Sequence, residues 1–136
     1  MAQPKGDPVG SIEIRVLSLA SSIGRLAIGA GMVAAPVPTL RALGFSEPGS
    51  ATITVGRLAG VRDLVLAAVT LASLEEADAL RAASLANAGA DGGDVIAFAI
   101  ALGNGERTAA IRGIAAALPA AIAGIWVARR LSSVRR

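Results

Sequence analysis

Four long apolar stretches, separated by short polar or Gly/Pro-rich breaks, set the pattern of this chain. From Val16 to Val37 the only polar interruptions are Ser18, Ser21, Ser22 and Arg25. That is about the 20 residues needed to cross a bilayer core. A helix is predicted to start near Ser11, where Glu13 faces the positive end of the helix dipole, and to end at Pro36 and Pro38. Thr39 to Leu43 reads as an interfacial helical turn, followed by loop signals at Gly44, Pro48 and Gly49. A second stretch runs from Ala51 to Leu74 and carries Arg57, Arg62 and Asp63. The acidic connection Glu75-Glu76-Ala77-Asp78 is short enough to make the second and third stretches antiparallel neighbours. The third runs from Leu80 to Leu102 and is broken by Gly103-Asn104-Gly105. The fourth, Thr108 to Leu131, contains Pro119 as a kink and Trp126 as an interfacial anchor. The expected architecture is all-α, a four-helix transmembrane bundle with both termini on the same side. Residues 1–10 form a disordered lead, 11–131 a single membrane domain and 132–136 a basic tail.

Composition sharpens this picture. Hydrophobic residues make up 54% of the 136, against about 45–50% in an average soluble domain. Mean hydropathy is +0.63. The excess lies in small and aliphatic side chains, which suits helices packed closely in lipid. A soluble Ala-rich bundle is the competing architecture, but the first and fourth stretches lack the polar stripe it would turn to water. Cys and His are both absent, which removes disulfides, thiolate catalysis, ordinary zinc sites and any Ser-His-Asp arrangement. The net charge of +3 is dispersed and stacking aromatics are scarce, so the basic residues are read as membrane-orienting and not as a nucleic-acid surface. Lys5, Arg15, Arg81, Arg129, Arg130, Arg135 and Arg136 fall on the terminal side, and Arg41, Arg107 and Arg112 on the other. The positive-inside rule then places the termini in the cytoplasm, in the inner (cytoplasmic) membrane. A cleaved signal peptide ending near Val33 and Ala35 is the rival reading of the first stretch, and Arg25 interrupts it.

The third stretch carries the candidate chemistry. Asn87, Asp91 and Asp94 lie at i, i+4 and i+7 and share one helical face. A central Asp costs about 2.5–3.5 kcal/mol to insert, while each Leu, Ile or Val returns only about 0.3–0.6. The carboxylates must therefore be paired, protonated or in contact with water. Asp63 and Asp91 stand equally far before and after a turn near Ala77, and are roughly level in an antiparallel pair. Arg62 falls between Asp91 and Asp94, Arg57 just beyond Asp94, and Arg25 near the middle of the first stretch on a face with Ser18, Ser21, Ser22 and Gly29. Three arginines and three aspartates are thus expected to meet at mid-membrane with no net charge. Gly56, Gly60, Gly89, Gly92 and Gly93 are expected to permit the close approach.

Asn87-x-x-x-Asp91-x-x-Asp94 is similar to the Asn/Asp-rich signature of intramembrane prenyltransferases, whose carboxylates hold Mg²⁺ and a diphosphate. That family spaces its last two acids one residue further apart, has a second Asp-rich motif and is much longer. Here arginines compete with any metal, so no metal and no cofactor is expected. Gly29-x-Gly31-x-x-Ala34 fits a dinucleotide fingerprint only formally, because no strand precedes it.

The chain also resembles a family of small four-span integral membrane proteins of actinobacteria that have no assigned activity. The carrying stretches are Arg25 to Gly31, Pro38 to Gly44, Gly56 to Asp63 and Leu85 to Asp94. The resemblance implies a four-helix membrane fold and carries over no catalytic residue. A looser likeness, in size and span number only, is to the sterol-isomerase type of bundle, which uses intramembrane acids on lipophilic substrates.

Two functions follow as expectations. In the first, the cluster binds a lipophilic small molecule or lipid headgroup, with acid–base chemistry of an isomerase or cyclase type. Asp91, Asp94 and Asp63 are then the catalytic candidates, and Arg25, Arg57, Arg62 and Asn87 the ligand-binding ones. In the second, the cluster is a sealed structural network in a non-catalytic accessory or scaffold subunit. The expected partners are the bilayer itself, a second copy of the chain or another membrane protein, and no nucleic acid.

Overall fold

In the computed structural model, residues 12–103 and 107–133 are described; the lead-in at 1–10, Asn104, Gly105, Arg135 and Arg136 lie outside them. The described residues form five α-helices and no strand: α1 (Ile12–Ala34), α2 (Pro36–Ala42), α3 (Ser50–Ala72), α4 (Ala77–Gly103) and α5 (Arg107–Ser133). At 23 residues, α1 and α3 are about 35 Å long, enough for a hydrocarbon core of about 30 Å. Three helices, α1, α4 and α5, are long and apolar enough to cross a membrane. In α3, Arg57, Arg62 and Asp63 break up the apolar run.

The breaks have local causes. Ala35 leaves the helical region and Pro36 opens α2 at its first position, where its missing N–H costs nothing. The first span therefore stops at Ala34, three residues short of the expected Val37, and the interfacial turn is a 7-residue helix that starts three residues early. Gly44 ends that helix with φ +105°, its N–H on Arg41 O and the Phe45 N–H on Leu40 O, a left-handed cap that a side chain would strain. The Arg112 guanidinium donates to Ala42 O at 2.9 Å and ties α5 to the end of α2. Between α3 and α4, the Glu76 carboxylate caps α4 by accepting from the Asp78 and Ala79 N–H groups. Helical structure runs unbroken through Pro119. Trp126 is half-buried, with the Arg130 guanidinium 5.0 Å above its ring.

Packing divides the helices into two antiparallel pairs. α1 lies mainly on α3 and α4 on α5, while contacts between the pairs are sparse. Glycine allows each close crossing. A Cβ on Gly60 would stand 2.7 Å from Met32 Cβ and 2.9 Å from Gly29 O, and one on Gly29 would stand 2.8 Å from Gly60 O. On the other pair, a Cβ on Gly124 would meet Ser84 O at 2.9 Å, and the Phe98 ring fills the space above Gly113. Gly89, Gly92 and Gly93 have open space where a side chain would be, so they do not make the approach expected of them.

The pairs are pinned together at one end by Ile14, Leu80, Val127 and Leu131, with Leu74, Ala77 and Trp126 around them. An exposed Arg15–Glu75 pair at 2.8 Å closes the same end. Large apolar side chains cover the outside of every long helix, among them Ile23, Leu58, Ile96 and Ile122, each at least 59% exposed. Such continuous apolar exposure suits lipid and not water.

Candidate functional site

Above the pinned end, the inward faces of α1, α3 and α4 bring a polar layer into the space between the pairs. On α1 the buried residues Ser18, Ser22, Arg25, Gly29 and Met32 follow one helical face. The hydroxyls are occupied locally: Ser22 Oγ donates to Ser18 O and Ser84 Oγ to Leu80 O. Arg25 has the one long polar side chain on this face of α1, and it reaches both neighbouring helices.

Its Nη1 donates to Asp63 Oδ1 on α3 at 2.8 Å, and its Nη2 to Asp91 Oδ2 on α4 at 2.6 Å. A longer contact of 3.5 Å runs from Nη2 to Asn87 O. Side-chain exposure is 8% for Arg25, 12% for Asp63 and 8% for Asp91, so this bridge is shielded along its whole length. Arg62 makes a two-pronged pair with Asp94, at 2.8 and 2.7 Å, and also donates to Asp63 Oδ1 at 3.2 Å. That pair is more open, with 37% and 32% of the side chains exposed. Ion pairs of this forked geometry are the strong kind, and pairing is one way such charges persist in low dielectric.

Asn87 adds a second branch. Its Nδ2 donates to Thr70 Oγ1 at 2.8 Å, and the Thr70 hydroxyl donates in turn to Leu66 O. The Asn87 Oδ1 is buried with no hydrogen-bond partner, as are Arg25 Nε and Arg62 Nε. Buried polar atoms without partners are rare.

The polar layer borders a cavity of about 840 Å³ between the two pairs. Arg25, Arg62, Asp63, Asn87, Asp91 and Asp94 all line it. The rest of its wall is mostly small and apolar, including Ala59, Ala97, Ala116 and Ala120, with Leu43, Phe45 and Val55 toward the end away from the pinned core. The site is thus a polar patch set in an apolar chamber, the form expected of a small-molecule pocket.

The structure therefore brings Arg25, Arg62, Asp63, Asn87, Asp91 and Asp94 together and leaves Arg57 out. Arg57 is exposed, does not line the cavity, and forms no ion pair among the described residues. Five positions before Arg62 on the same helix, it is rotated by about 140° from it. The expected balance of three cations and three anions becomes two guanidiniums against three carboxylates. Thr70 is the partner that sequence reasoning overlooked. Its signal was available: Asp63, Ala67 and Thr70 are buried at i, i+4 and i+7 on α3.

Comparison of the chain with known protein families, with curated proteins and with solved structures finds no match.

Proposed function

We propose that this chain is a four-span protein of the cytoplasmic membrane whose cavity binds a lipophilic small molecule or a lipid headgroup, with the Arg/Asp/Asn layer as its polar contact. The observation that carries the reading is the 840 Å³ cavity bordered by Asp91, Asp94 and Arg25. A sealed structural network would have no such chamber beside it, so the accessory-subunit reading is the weaker one. α3 counts as the fourth span because its three charged residues are set among the exposed apolar side chains Val55, Leu58, Val61, Val65 and Val69. The distribution of arginines favours cytoplasmic termini, and a reporter fused to either end tests that side.

The three candidate acids differ in their capacity for chemistry. Both Asp94 oxygens accept from Arg62, and Asp63 Oδ1 is shared by two arginines. Asp91 is held through Oδ2 alone, which leaves Oδ1 for a ligand. An isomerisation would use Asp91 Oδ1 to take a proton from one carbon of the bound molecule and return it to another, with Arg25 fixing the carboxylate. Arg62 and Asn87 then position the substrate's polar end.

Mass spectrometry of small molecules that co-purify in mild detergent is the decisive experiment. A stoichiometric lipophile in the native chain, lost when Ala120→Phe fills the cavity, is the expected result. The same molecules at the same level in both proteins would count against a ligand in this chamber.

A further inference from the structure

Charge counting at the polar layer leads one step beyond that reading and rests on it. Two guanidiniums face three carboxylates, so the network carries one negative charge in excess if all five groups are ionised. The only other arginine near this depth on α3, Arg57, points away from the layer. An uncompensated charge in the hydrocarbon region is expensive and calls for a neutralising partner. The oxygen atoms that remain free are acceptors of the right kind. Asp63 Oδ2 and Asp91 Oδ1 receive no hydrogen bond among the described residues, and both side chains line the cavity. Asn87, only 6% exposed, lines it too and has an Oδ1 without a partner. Arg25 Nε and Arg62 Nε are also without partners, but both are buried and neither changes the charge count.

We infer that the cavity takes a lipophilic amine in its protonated, monocationic form, with the ammonium N–H groups donating to Asp91, Asp63 and Asn87 and the apolar body lying in the alanine-lined chamber. A bare metal ion fits less well, because it needs more oxygens than these and leaves the chamber empty. An anionic headgroup would add to the excess charge instead of cancelling it.

The test uses three probes with one chain length: dodecylamine, dodecanol and dodecanoate, each titrated at neutral pH against the full chain in phosphatidylcholine nanodiscs, with empty nanodiscs as the blank. Binding is read by native mass spectrometry. The amine is expected to bind tightest and the carboxylate weakest. Asp91→Asn cancels the excess charge and is expected to lower the amine-to-alcohol affinity ratio by about tenfold or more, the effect of losing one charge-assisted hydrogen bond. Asp63→Asn is expected to lower it likewise, should the first variant fail to fold. If dodecanol or dodecanoate binds the native chain as tightly as dodecylamine, the amine is the wrong ligand class and a proton neutralises the network. If none of the three binds above the blank, the cavity reading itself falls.

Discussion

Arg25 and Arg62 share Asp63, yet the molecule uses them differently. Arg25 comes from α1, is shielded from solvent, and spans from α3 to α4, so it joins the two helix pairs where their contacts are sparse. Arg62 comes from α3 and forms a compact fork with Asp94 on the next helix, with about a third of each side chain open to the cavity or its surroundings. Both guanidiniums link the two pairs and line the chamber, but one is a shielded brace between carboxylates on two helices and the other a more open fork to a single carboxylate. The difference shows why burial and connectivity, more than ion-pair distance, decide what a charge contributes: the bond lengths at the two sites are nearly the same.

Removing the brace should have the largest effect. Arg25→Leu leaves Asp63 with only its 3.2 Å contact to Arg62 and Asp91 with no cation at all. Breaking a buried pair in this way costs about 3–5 kcal/mol, so the variant should lose most of its folded yield in detergent by size-exclusion chromatography. Separating the same groups sterically comes next. Gly60→Val drives a side chain into Met32 Cβ and Gly29 O and must push α1 off α3, stretching Arg25 from Asp63 while leaving the Arg62–Asp94 fork alone. A loss of about 1–3 kcal/mol is expected from overpacking of this kind, visible as a lower melting temperature in the same detergent.

At the lining site the effects should be smaller. Arg62→Leu frees Asp94, but Asp94 is partly exposed and can be hydrated from the cavity. The expected cost is about 1 kcal/mol or less, with the protein folded and its ligand content altered. A loss as large as that of Arg25→Leu would show that the two arginines form one inseparable unit.

How much of this was legible beforehand depends on what each feature rests on. Helix positions were, since Pro36, the Glu75–Asp78 connection and the long apolar runs act locally. The shared level of Arg25, Asp63 and Asp91 was also legible, because Asp63 and Asp91 are equidistant from a tight turn and Arg25 sits near the middle of the first stretch. Rotation about the helix axis was not. Arg57 is close to Arg62 in depth but faces elsewhere, and Gly89 and Gly93 turn away from the neighbouring helices that Gly29, Gly60 and Gly124 approach. A hydropathy pattern in which most positions are Ala, Gly, Leu or Val leaves the inward face nearly unmarked, so only the placement of the polar residues identified it. The cavity was the least legible of all, since it arises from two pairs standing apart and no single residue records that distance.

Arg57 supplies the smallest predicted effect and the sharpest control on the comparison. It sits seven residues after Ser50, the first residue of α3, so its long side chain can run along the helix toward the interface with its charge near water. It braces nothing, and it lines nothing. Arg57→Leu should therefore leave the melting temperature unchanged and leave the amine-to-alcohol preference of the cavity as it is in the native chain. A guanidinium that belonged to the network would behave otherwise: its removal would create the negative excess and strengthen amine binding. A gain in dodecylamine affinity on Arg57→Leu would return this residue to the charge layer and restore the balance of three against three, whereas no change keeps the layer at two arginines, of which Arg25 is the more deeply buried brace.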